Sequence, residues 1–173
     1  LIIIQFCENK NALKISKELE LNYKTVKDRF DIFRKKIALF LENEYNHSIK
    51  DYNEYEEFYY IKEREKKKKK KSLSESINIM GFYSNKKVYT LLMPKIGRRA
   101  FDIEDGFIQY LNWNKIHSLN SHQTNLNIFW KFLEDNLKKY KGFEEDNFFY
   151  YLKESEFKFN YTKDEQIEIL RNL

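Results

Sequence analysis

The sequence predicts a mixed α/β protein of the α+β kind: helices first, then a short sheet, then helices again. Three observations carry this. Apolar residues recur at helical steps through residues 1–46 and again from residue 124 onward. Between them lie aromatic and β-branched runs at strand spacing, punctuated by turn residues. Only 4 Gly and 1 Pro occur in 173 residues, which disfavours a turn-rich sandwich and any glycine-rich phosphate loop.

In chain order, Ala12, Ile15, Leu19, Leu21, Val26, Phe30, Phe33, Ile37 and Leu41 include the helical positions of the first stretch, which neither Gly nor Pro interrupts. DYNEYEEFYYIK, from residue 51, is rich in aromatic residues and suits a strand. A lysine-rich stretch at 62–76, with six consecutive lysines at Lys66–Lys71, reads as a solvated loop. Residues 76–94 read as a hairpin, with Ser84-Asn85-Lys86 at the turn and Pro94 closing the return strand. Residues 95–123 are the least regular part. From Thr124 to Lys141, Leu126, Phe129, Trp130, Leu133 and Leu137 share one face of an amphipathic helix, and Gly142 stops it. A helix over Glu144–Glu156 follows, then FKFNY, then a last helix over Lys163–Asn172. The expected domains are a helical module at 1–48 and a mixed domain at 49–173.

Lysine and arginine outnumber acids by 32 to 27, giving a net charge of +5, which suits a polyanionic partner. Cys7 is the only cysteine, so neither an internal disulfide nor a Cys-based zinc site can form; this fits a reducing cytoplasm. Leu1–Phe6 is apolar but far too short to span a membrane, and no signal-peptide pattern is present. Nothing in the pattern points to a small-molecule substrate.

The sharpest functional signal is NALKISKELELNYKTVKDRF at 11–30, which carries the spacing of a helix-turn-helix. Ile15, Leu19, Leu21 and Val26 supply the apolar steps that hold two helices together over a short turn. Asn22 can cap the second helix. The outward face of that helix then carries Tyr23, Lys24, Thr25, Lys27 and Asp28, the first four offered to double-stranded DNA, and Arg34, with Arg29, Lys35 and Lys36, extends the basic surface toward phosphates. Glu20 occupies the turn position where glycine is usual, so a positive φ is expected there at some cost.

The C-terminal strings NLNIFWKFLEDNLKKYKGF (125–143) and NFFYYLKESEFKFNY (147–161) resemble the end of the ISXO-two-like group of bacterial insertion-sequence transposases. The matching residues are Phe129-Trp130, Lys139–Gly142, Tyr151, Leu152, Glu154, Phe157, Phe159 and Asn160. The resemblance implies a reduced RNase H-like core, strand cleavage and transfer dependent on Mg2+, pairing of two DNA ends by a homodimer, and a place at the bacterial nucleoid. It also implies three catalytic, metal-holding residues: Glu56 on the first strand, Asp105 before the Phe-Trp helix, and Asn127 on that helix. Glu56 stands where the family has Asp, and Asn127 where it has an acid. His122 matches a family histidine, and the segment before Asp105 is shorter than the family's. The altered acids leave two further readings open. One is a DNA-binding protein without catalysis; the other is an interaction domain that never meets DNA.

Overall fold

A computed structural model of the chain describes residues 1–47, 54–61, 76–94, 124–140 and 143–173. It is an α+β protein with six α-helices and a three-stranded antiparallel sheet among those residues. Two units emerge. One joins Leu1–Lys50 to Phe132–Leu173, and the other is Asp51–Lys131. The C-terminal helices thus group with the N-terminal ones. No helix among the described residues is long and apolar enough to cross a membrane.

The first unit contains α1 (Ile2–Cys7), α2 (Ala12–Glu18), α3 (Tyr23–His47), the end of α4 (Asn125–Lys138), α5 (Phe148–Asn160) and α6 (Lys163–Asn172). The Asn11 side chain caps α2 by accepting from Lys14 N at 2.8 Å. A reciprocal box between Thr162 and Glu165 starts α6. The apolar stripes meet in one core of Phe6, Ile15, Val26, Phe30, Ile37, Leu41, Phe157 and Leu170. Phe6 meets Phe30 edge-on, with centroids 4.8 Å apart.

α5 departs from expectation. A 3-10 turn occupies Glu145–Asn147, and the helix then runs through FKFN to Asn160. The aromatic residues of that string favour strand in isolation, but packing overrides propensity. Phe157 is fully buried beside Phe40 and Tyr161, and Phe159 packs on Phe132.

Arg34 is the main correction to the expected basic surface. It is 5% exposed and lies inside this unit. Its Nε donates to Glu154 Oε2 at 2.7 Å and its Nη1 to Asp31 Oδ1 at 2.9 Å. The guanidinium also stacks over Tyr151, 4.4 Å from the ring centroid. Glu154 in turn accepts from Tyr140 Oη and Lys158 Nζ. Arg34 falls on the Phe30–Ile37 stripe, so burial points it inward, and only a matched carboxylate makes that burial tolerable.

In the second unit, β1 (Glu54–Tyr60), β2 (Ile77–Ser84) and β3 (Lys87–Leu92) lie in that order, each antiparallel to the next. Asn85 and Lys86 turn the hairpin with φ of 50° and 64°, the two positive values a tight two-residue turn requires. Glu56 pairs with Gly81, and Gly81 with Thr90, which places Glu54, Glu56, Phe58, Ile79 and Val88 on one face. The start of α4 covers that face. Trp130 stacks on Phe58 with the rings 4.7 Å apart and almost parallel. A Cβ on Gly81 would come within 2.5 Å of the indole, so only glycine admits this approach.

Candidate nucleic-acid interface

Four residues, Leu19–Asn22, join α2 to α3. Leu19 ends α2, Glu20 takes φ 53°, and Leu21 N donates back to Ser16 O at 2.9 Å. This is the six-to-one hydrogen bond of a Schellman turn, with Glu20 at the position that favours glycine. Asn22 Oδ1 accepts from Lys24 N at 2.8 Å and caps α3. Ile15 and Val26 are fully buried across the turn, Phe30 extends the contact, and Leu19 is half-buried against the same core. Leu21, expected as a packing step, is 39% exposed because the left-handed residue before it turns the chain outward.

Beyond the turn, the first two turns of α3 are open. Tyr23 is 49% exposed. Lys24, Thr25, Lys27, Asp28 and Arg29 are exposed as well. Among the described residues, Lys24, Lys27 and Arg29 make no ion pair. On α2, by contrast, Glu18 is held by Lys10 and Lys14. Lys35 and Lys36 are exposed further along α3, and Lys36 Nζ donates to the carbonyl of Leu173. Of the five expected DNA contacts, Tyr23, Lys24, Thr25 and Lys27 therefore share one surface and Arg34 does not.

The first-strand carboxylates are engaged with α4. Glu54 receives Asn125 N and Nδ2 at one oxygen and Leu126 N at the other, so it caps the helix. Glu56 Oε2 accepts from Trp130 Nε1 at 3.0 Å. Burial pushes the Glu56 carboxyl above its usual range, the Trp130 hydrogen bond opposes this, and Glu54 adds to it. Asn127 is half-buried on α4, with its backbone N–H on Thr124 Oγ1. Asp105, His122 and the Lys66–Lys71 run lie outside the described residues.

These donors do not fit a pair of Mg2+ ions. Glu54 is committed to a helix end, one oxygen of Glu56 is taken by an indole, and Asn127 carries no charge. Among the described residues no group of three His, Cys, Asp or Glu side chains is placed to hold a metal. Magnesium prefers carboxylates and a regular octahedron of oxygens.

Three features escaped the sequence reading. The Arg34–Glu154–Lys158 cluster had a signal, since Arg34 sits at i+4 from Phe30 on the apolar stripe. The Glu54 cap had a weaker one, its strand alternation with Glu56. The Glu56–Trp130 bond had none, because it joins residues 74 apart.

Compared with protein-family models, curated proteins and solved structures, the chain matches none.

Proposed function

We propose that this chain binds double-stranded DNA through α2 and the first two turns of α3, as the targeting arm of a transposase-like protein. The carrying observation is the capped, four-residue turn followed by an exposed α3 face whose Lys24, Lys27 and Arg29 have no acidic partner among the described residues. Cations left unpaired on an exposed helix face suit phosphates, and the helix end beside them suits a major groove. The resemblance of the C-terminal strings to insertion-sequence transposases supplies the rest of the reading: element ends as targets and a homodimer to join them.

The test is a gel-shift titration of wild-type protein and the Lys24→Ala/Lys27→Ala variant on duplex DNA over a range of salt. The double variant is expected to bind more weakly and to lose about two from the slope of log affinity against log salt. Binding unchanged in affinity and slope removes α3 as the reader.

Mg2+-dependent strand transfer is the second reading. In its favour, Glu56 lies on the first strand beside the helix that carries Asn127. Against it stands the poor fit of those donors to metal, so binding without catalysis is placed first. Nicking of element-end DNA with Mg2+, lost in Glu56→Gln, would restore the enzyme; intact binding with no cleavage would retire it.

A further inference from the structure

On α3 the direction of the core is set by Val26 and Phe30, both buried. Asp28 stands two residues from each. Two steps of an α-helix turn a side chain through about 200°, so Asp28 lies on the line opposite the buried seam. Lys24, one turn back, shares that outer line. Lys27 and Arg29, one step to either side of Asp28, fall about 100° away on the two flanks. All four are exposed, and none makes an ion pair among the described residues. Of the acids nearby, Asp31 takes Arg34 and Glu18 takes Lys10 and Lys14, while the exposed Glu20 of the turn makes no ion pair among the described residues. The outermost line of the helix thus carries one carboxylate between two flanking cations.

A helix entering the major groove turns its flanks to the phosphate walls and its outer line to the base edges. A carboxylate in that place is repelled by phosphates and by acceptors on the bases. Guanine presents O6 and N7, thymine O4, and adenine N7 beside its amino group. Cytosine alone presents only a donor, its N4 amino group. Resting on the DNA-binding reading above, we propose that Asp28 determines sequence specificity by accepting a hydrogen bond from N4 of a cytosine in the major groove. Lys27 and Arg29 then hold the backbone phosphates on either side.

The experiment is selection of binding sites from a random duplex pool by the full chain, with Asp28→Ala and Asp28→Asn beside it. Wild-type protein is expected to enrich one cytosine position, by roughly tenfold over thymine. Asp28→Ala should lose that preference yet bind random-sequence DNA at least as tightly, since a negative charge has gone. Asp28→Asn should move the preference to adenine, whose N6 and N7 a carboxamide can engage together. Because Asp28 is exposed and makes no ion pair among the described residues, unchanged thermal melting of both variants is expected. A cytosine preference that survives Asp28→Ala overturns the proposal and leaves DNA binding standing. Failure of the wild-type chain to hold any duplex at low salt overturns the helix-pair reading itself, which separates the two.

Discussion

Replacing Glu154 by Gln should remove much of the protein's stability, and pH should reproduce the effect without mutation. The carboxylate is 2% exposed and takes Arg34 Nε at 2.7 Å, Tyr140 Oη at 2.8 Å and Lys158 Nζ at 2.6 Å. Burial would raise its pKa, but Lys158 and Arg34 overcome this and hold it at about 2, against an ordinary 4.5. A carboxyl group whose pKa falls on folding stabilises the fold above its unfolded value and loses that contribution as pH drops toward its folded one. At roughly 1.4 kcal/mol per pH unit, the gap is worth about 3 kcal/mol. Glu154→Gln leaves Lys158 without its carboxylate and Arg34 with Asp31 alone, for which a cost of about 3–5 kcal/mol is expected. Urea unfolding at pH 7 would measure this. The wild-type protein and the variant should converge as pH falls from 4.5 to 2. If the variant does not fold, the triple change Arg34→Met/Glu154→Leu/Lys158→Met, which removes all three buried charges, should regain most of the loss. A deficit below about 1 kcal/mol at pH 7, or a constant deficit at all pH values, would refute the reasoning.

Three further outcomes follow from single residues. Glu20→Gly relieves a left-handed residue and should stabilise the protein by about 0.5–1 kcal/mol, seen as a higher melting temperature with DNA affinity unchanged. Gly81→Ala drives a methyl group into the Trp130 ring and should cost about 1–3 kcal/mol, with altered Trp fluorescence; a neutral result would contradict the close approach. Glu56→Gln keeps an acceptor for Trp130 and removes a charge that burial disfavours, so its unfolding midpoint at pH 7 should equal or exceed the wild type's. That advantage should shrink as pH falls through the folded carboxyl's raised range, where the wild-type Glu56 also becomes neutral.

The elements were legible in the sequence wherever a local rule sufficed. Helical spacing marked residues 1–46 as helical and located α4 and α6 to within a few residues, and Asn85-Lys86 marked the hairpin turn. Even the awkward residue of the turn could be named, because only the Schellman position explains a spacing in which Glu20 stands for glycine. The continuation of α5 through FKFN could not be read locally, since Phe157 and Phe159 favour strand until a core receives them.

For the candidate site, residue type and helical phase were enough to put Lys24, Lys27 and Asp28 on an exposed face, because an α-helix distributes side chains by angle alone. The same phase rule places Arg34 on the buried stripe, but charge suggested surface, and the two could be reconciled only by Glu154, 120 residues away. Glu56 likewise read as a candidate metal ligand until α4 arrived beside β1 and its Trp130 claimed one of the carboxylate oxygens. Periodicity and turn chemistry act over a few residues and are written in the chain. Whether a charge stays in water, pairs inside or caps a distant helix depends on which segment folding brings against it.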